Sequence, residues 1–403
     1  MISEVSASSG GRRTIVAAIV LGAFGQVGFI GLRFIIVLHA IALGASAAAV
    51  GLLQASFTLL ATILSVRIGH LLDSRGVRVP WMAGLVLMAV CGLLPVAVPG
   101  LPVLFVAAAI LGTGASLAYV SHVKVVGELS DTAARMGWLS LSGVIFAIAT
   151  FAAPLLAGLV IDHFDHRIAY TAIVPWVVAA FACIALRLVA VPPPHPMHAG
   201  SKPKNVFALL KDPSLRAIYV LSSVMSLVWE SFALVVPLYG AEVGLSATAI
   251  GGVMSSMAAA MLAVRLLAPL LGRRLTPWRM MVGALFVSSV GYALFPLAHE
   301  APVMMALGAL IGLGVGLTQP MTLTLLYEFS PPERVGAAMG LRQFFANGIL
   351  LGIPIVFGAL GSVFGMAPVF LAIAASGFAG CVYARGREPV KPPESRAGTG
   401  DAR

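Results

Sequence analysis

The sequence predicts an all-α membrane protein: twelve transmembrane helices in two pseudo-symmetric six-helix bundles. Three observations carry that expectation. Of 403 residues, 60% are hydrophobic and only 10% charged, with a mean hydropathy of +1.01. A soluble domain carries about 25% charged residues, and apolar surface on this scale needs lipid to cover it. The apolar residues also fall into twelve runs, each close to the roughly 20 residues that cross a bilayer as a helix. Finally, a Pro- and Lys-rich break over 191–213 separates two sets of six runs that repeat one another.

The first run, 14–38, follows Arg12 and Arg13. It exceeds the roughly 7–15 apolar residues of a cleaved secretory signal and so reads as a retained span. Runs at 46–68, 79–98, 101–124, 136–161 and 168–190 complete the first half. The segment VPPPHPMHAGSKPKNVFALLKDP cannot span. Runs at 215–239, 246–271, 277–298, 301–328, 333–360 and 363–384 form the second half. The expected organisation is an N-terminal bundle over 1–190, a cytoplasmic linker over 191–213, a C-terminal bundle over 214–385 and a disordered cytoplasmic tail over 386–403. SAAAVG at 46–51 recurs as SATAIG at 246–251, an offset of 200. Met136–Gly137 recurs as Met339–Gly340, and Gly158 falls on Gly361, both at an offset of 203. In the tenth run, GLGVGLTQPM predicts a bend from its glycines and from Pro320. Before the eleventh, SPPER spaces Ser330 and Glu333 as a capping box.

Lys and Arg fix the expected orientation. One set of connections holds Arg75, Arg78, Arg135, Lys202, Lys204, Lys211, Arg273, Arg274, Arg279 and Arg334, while the opposite set holds Arg167 alone. Positive charge stays inside, which places both termini and the linker in the cytoplasm and the chain in the inner (cytoplasmic) membrane. The net charge of +10 therefore reflects topology. No basic stripe interleaves with aromatics, so no nucleic-acid partner is expected. Cys91, Cys183 and Cys381 lie inside apolar runs without metal-ligand spacing and read as small core residues. Neither a phosphate-binding loop followed by Lys, nor HExxH, nor a Ser-His-Asp set on the cytoplasmic face is present. No enzyme activity, cofactor or metal is expected, and the chain is read as a monomer.

After the second run comes GHLLDSRGVR. It resembles the cytoplasmic signature G-x-L-x-D-R-x-G-R-K of major facilitator superfamily transporters. Gly69, Leu71, Asp73, Gly76 and Arg78 match, Ser74 and Val77 depart, and Arg75 supplies a nearby charge. The resemblance implies alternating access about a central cavity and a cytoplasmic conformational latch over Gly69, Asp73, Arg75, Gly76 and Arg78. In that latch Asp73 would face the N-terminal end of the eleventh span, where a carboxylate is favourable. The other reading is an ordinary polar turn. In the fifth run, Ser140, Ala149, Ala153, Pro154, Ala157 and Gly158 fall on the spacing of the superfamily's antiporter signature, with Pro154 and Gly158 matching in identity. Small residues at such spacing also let any two membrane helices approach closely. The basic residue that many members carry in the fourth span is missing from AAILGTGAS.

Ionisable residues at mid-bilayer are expensive and mark function. Arg67, Lys124, Arg187 and Arg265 lie near cytoplasmic ends and can snorkel, and His122 is expected at the interface. Glu230, in SLVWESFALVV, sits about 22 Å from the cytoplasmic side and Arg342 about 14 Å. The repeat brings Glu230 to within a turn of the level of Arg33, and the resemblance places their helices across a central cavity. Two readings stay open for Glu230: a structural ion pair with Arg33, or a proton carrier whose charge state biases inward against outward opening. Gln26, Gln54, Gln319, Gln343 and Asn347 are candidate orienting groups and Trp229 a candidate apolar wall. With Arg33 and Arg342 the expected cavity is positive, which favours an anionic or zwitterionic small molecule. The expected function is proton-coupled export (antiport) of a small organic solute. The alternatives are a proton/organic-anion symporter and a non-transporting membrane sensor.

Overall fold

The computed structural model describes residues 9–130, 135–187, 206–271, 275–331 and 334–389. Thirteen long or half-span helices form the described chain. They are α1 (Ser9–Ala42), α2 (Ala47–Arg75), α3 (Arg78–Ala97), α4 (Leu101–Leu129), α5 (Arg135–His163), α6 (His166–Ala185), α7 (Pro213–Glu242), α8 (Ala247–Leu271), α9 (Pro277–Leu294), α10 (Ala301–Val315), α11 (Thr318–Phe329), α12 (Val335–Phe364) and α13 (Met366–Ala384). Helices α10 and α11 share the tenth span, so twelve spans cross the bilayer and the chain is a multi-pass membrane protein. No strand occurs among the described residues. Ile63, Leu186 and Val363 are 67%, 70% and 72% exposed, as side chains facing lipid would be.

Each span stops where the chain offers a turn and a cap. Gly44 and Gly244 take φ of 79° and 77°, left-handed values that cost glycine nothing. Ser46 and Ser246 then accept from the amides of Ala49 and Ala249, both at 3.2 Å, and open α2 and α8. Asp165 and Asp212 cap α6 and α7 in the same way. The expected capping box at the eleventh span does not form the start of α12. That helix begins at Val335 after Arg334, with no side-chain cap, and Ser330 ends α11 instead. Glu333 lies outside the described residues. The tenth span, expected to bend, is interrupted at Gly316 and Leu317. The Gly316 carbonyl there accepts from Arg265 Nε at 3.1 Å. Arg265 is thus satisfied by a neighbouring helix and not by snorkelling alone.

Helices α1–α6 pack chiefly on one another, and so do α7–α13. The halves meet along two seams, α5 with α8 and α2 with α12. Both lie at the end of the molecule opposite the chain termini, here called the distal end. A Cβ added to Gly158 would overlap the Ala247 carbonyl, and one added to Gly251 would overlap that of Pro154. In the other seam, a Cβ on Gly51 would overlap the Pro354 carbonyl, and one on Gly358 would lie 2.6 Å from that of Ala47. Gly158 therefore corresponds to Gly358 at an offset of 200, and not to Gly361. The backbone contacts, which sequence identity alone does not reveal, set the true register here.

Candidate functional site

A cavity of about 550 Å³ runs through the N-terminal half toward the end that carries the termini, the proximal end. One stripe of α1, with Gly22, Gln26, Phe29 and Arg33 at intervals of three to four residues, faces into it. The opposite wall comes from α12, through Gln343, Asn347 and Leu350. Gln343 Nε2 donates to Asn347 Oδ1 at 2.8 Å, one turn along that helix. Pockets of this size suit small organic molecules.

At its distal end the cavity closes on a polar cluster. Arg33 donates to Gln54 Oε1 from Nε at 3.1 Å and from Nη2 at 3.0 Å. Gln54 in turn donates from Nε2 to the Ala233 carbonyl of α7 at 2.7 Å. Arg33 Nη2 stands 3.9 Å from Glu230 Oε2, with the two side chains 21% and 19% exposed. The Arg33 guanidinium also lies 5.6 Å from the Phe57 ring centroid, on the side where a cation–π contact is favourable. A chain of polar contacts thus joins the two halves: Arg33 on α1, Gln54 on α2, and the α7 turn that carries Glu230 and Ala233. The carboxylate sits at the looser end of this chain, close enough to feel the guanidinium and too far for a short bidentate contact.

The remaining candidates divide. Gln26, Gln343 and Asn347 line the cavity with Arg33. Arg342, one position from Gln343, does not line it, because a helical step of one residue turns a side chain by about 100°. Its Nε is buried without a hydrogen-bond partner. Trp229 packs into the apolar core beside Glu230 and does not line the cavity. Gln319 is exposed on α11 and is also outside it.

Pro154 and Gly158 lie in the α5/α8 seam described above. Arg78 donates from Nη2 to the carbonyls of Ile184 and Ala185, at 3.0 and 2.8 Å. It caps the C-terminal end of α6 within its own half, where a cation is favourable. Gly76 ends α2 with φ of 70°. The side chains of Asp73 and Arg75, and the surroundings of Gly69, lie outside the described residues.

Two features escape a reading by sequence depth. His122, expected at the interface, is only 2% exposed. It lines the cavity, with its ring 4.9 Å from Phe146 and 6.1 Å from Trp81, centroid to centroid. Asp162, at the distal end of α5, accepts from the backbone amides of Ala247 and Thr248 at 2.9 and 2.7 Å. It thereby caps the first turn of α8 from the other half of the molecule. The sequence signal for Asp162 was a carboxylate four residues beyond Gly158, at the end of the fifth run. For His122 it was a histidine inside an apolar run, which the structure sets against Gly22 of α1.

No curated protein matches the chain in sequence. Among solved structures, a mutant of the nucleoside transporter NupG matches with a TM-score of 0.80 at 12% identity, covering 93% of this chain and 99% of that one. A POT family transporter in complex with 5-aminolevulinic acid matches with a TM-score of 0.76 at 13% identity, covering 93% and 95%. The peptide transporter POT in complex with sulfate matches with a TM-score of 0.73 at 14% identity, covering 96% and 99%. At these identities the likeness is one of fold. The family model described as Major Facilitator Superfamily matches residues 16–352 and 301–402, nearly the whole chain. With twelve spans in two seamed halves, the chain belongs to the major facilitator superfamily of solute transporters.

Proposed function

We propose that this transporter couples the movement of a small organic acid to protons, with Glu230 as the proton-carrying group and Arg33 as the anchor for the solute's carboxylate. The observation that carries this reading is the cluster at the closed end of the cavity. Arg33 donates two hydrogen bonds to Gln54 but makes only a 3.9 Å approach to Glu230. A carboxylate arriving from the cavity meets a guanidinium that keeps its position without Glu230. Protonation removes the charge on Glu230 and frees Arg33 for that carboxylate. Because Gln54 also reaches Ala233, a change at Arg33 is felt at the junction of the halves, where a bias between two arrangements acts as a gate.

With both distal seams closed and the proximal end taken as cytoplasmic from its Lys and Arg, the conformation is inward-facing. The charge on the solute then decides the direction of coupling. A zwitterion whose ammonium group competes with the proton for Glu230 gives exchange, and so export. A plain anion needs Glu230 neutral while it binds, and so travels with the proton. The second reading is favoured by Arg33, which lines the cavity where an anion would arrive. The packing of Pro154 and Gly158 in the α5/α8 seam accounts for the small-residue pattern of that span without reference to direction.

The test is Glu230→Gln in proteoliposomes. pH-driven accumulation should fall at least tenfold, while solute exchange at equal pH persists. Intact pH-driven accumulation would exclude Glu230 as the carrier. Imposing pH gradients of either sign on the wild type separates exchange from cotransport.

A further inference from the structure

Below the Arg33 cluster the open polar groups of the cavity are neutral. Among the described residues, Arg33 is the only Lys, Arg, Asp or Glu side chain on its wall. Three primary amides share that wall: Gln26 on α1, and Gln343 with Asn347 on α12. Gln343 and Asn347 use one donor and one acceptor on each other. A carbonyl on Gln343 and an amino group on Asn347 then have no partner among the described residues, and Gln26 has none at all. Turning both amides over exchanges their roles and leaves the same open pair. These groups are not enclosed. Gln343 is exposed, Gln26 and Asn347 are half-buried, and none of their polar atoms is shut away from the cavity.

The α2/α12 seam fixes how far this pair lies from Arg33. Gly51 of α2 and Pro354 of α12 meet at one level. Gln54, which accepts from Arg33, is three residues proximal of Gly51. Asn347 and Gln343 are seven and eleven residues proximal of Pro354. At about 1.5 Å per residue, they lie roughly 6 and 12 Å below Gln54. Gln26, seven residues before Arg33, lies about 10 Å below it. The amides therefore form one belt, with Gln26 from the first half of the molecule and the pair from the second.

We propose that this belt binds an uncharged amide group of the transported molecule. The molecule is then a monocarboxylate with a carboxamide or lactam roughly 6–12 Å from its carboxylate. This rests on the reading of Arg33 as the carboxylate anchor, and it names the substrate class. A second carboxylate would find no cation at the belt, and an ammonium group no anion. A carboxamide carries a donor and an acceptor on two atoms of one planar group, as the open pair on α12 does. Phe29, one turn from Arg33, and Phe57 beside its guanidinium suit an apolar linker between the two ends. An amide bonded to Gln26 and to the α12 pair also ties the two halves together across the open end of the cavity.

The experiment measures equilibrium binding of three acids to the purified full-length protein. They are 3-(4-carbamoylphenyl)propanoate, its 4-isopropyl analogue of the same shape, and its 4-carboxy analogue with a second charge. The amide acid is expected to bind about tenfold tighter than either analogue, the value of one or two hydrogen bonds. Replacing Gln343 and Asn347 together by Leu should make the amide and isopropyl acids equal. Should that double variant fail to fold, Asn347→Leu alone should reduce the amide preference at least threefold. Gln26→Leu, on the opposite wall, should reduce it by a similar factor. A preference that survives in the α12 variants overturns the proposal. So does a folded wild type that binds the three acids equally or binds none of them. Arg33→Gln should weaken the amide and isopropyl acids alike and leave their ratio unchanged. A failure of the carboxylate anchor therefore shows in both affinities, and a failure of the amide belt shows in their ratio.

Discussion

The α5/α8 and α2/α12 seams are built on one plan and finished differently. Each begins with a serine-capped helix, and each uses a glycine and a proline carbonyl to bring two backbones into contact. Two hundred residues separate Ala47 from Ala247, Gly51 from Gly251, Pro154 from Pro354 and Gly158 from Gly358. On this common frame the α5/α8 seam adds polar bridges. Asp162 caps α8 across the interface, and Ser255 Oγ donates to the Phe151 carbonyl. At the matching positions the α2/α12 seam has Ser362 and Ala55. Ser362 donates to Ala359 within its own helix. Among the described contacts, backbone packing joins the α2/α12 seam, and packing plus a charge set against a helix N-terminus joins the α5/α8 seam. The repeat gives both seams one shape, and Asp162 and Ser255 add polar bridges to one of them.

Substitutions at these seams test the distinction directly. The largest effect is expected from Gly51→Val, whose side chain has only the Pro354 carbonyl and Gly358 to push against. Overpacking of this kind costs about 2–3 kcal/mol, or roughly 30- to 150-fold in the population of the distally closed state. Spin-label distances between the distal ends of α2 and α12 should lengthen, with transport falling in proportion. Asp162→Ala should act more gently, because the carboxylate is exposed. Loss of the cap costs about 0.5–1 kcal/mol, read as a two- to fivefold shift toward distal opening in label distances across α5 and α8. Ser362→Asp is the smallest and runs the other way. A carboxylate placed opposite the first amides of α2 should favour closure by about twofold, narrowing the α2/α12 distance distribution. If Asp162→Ala leaves the label distances across α5 and α8 unchanged, Asp162 does not act as a latch in the α5/α8 seam.

The twelve spans were legible because hydropathy and length are local properties that the bilayer enforces on each segment separately. The interruption in the tenth span was legible for a similar reason, since glycine spacing and Pro320 act on the backbone where they stand. The proximity of Arg33 and Glu230 emerged from the repeat, which transfers depth from one half to the other. His122 did not, because depth was counted from an expected end at 124 while α4 continues to Leu129. Burial and the missing hydrogen bonds are properties of three helices together. Arg342 and Trp229 were placed at the right level but on the wrong faces, and rotation about a helix axis is decided by packing that the sequence displays only weakly. Arg78 matched a motif, yet its geometry serves α6.

Arg265 and the broken tenth span have a consequence for how the protein is made. The guanidinium on α8 takes its acceptor from Gly316, which lies 51 positions further along the chain. During synthesis α8 enters the membrane before that carbonyl exists. Until α10 arrives beside it, the charge must be carried by water and headgroups at the proximal surface. The hydrogen bond to Gly316 becomes available only once the tenth span lies beside α8, so the settled state of this α8 charge depends on a helix that belongs to neither side of the α5/α8 seam.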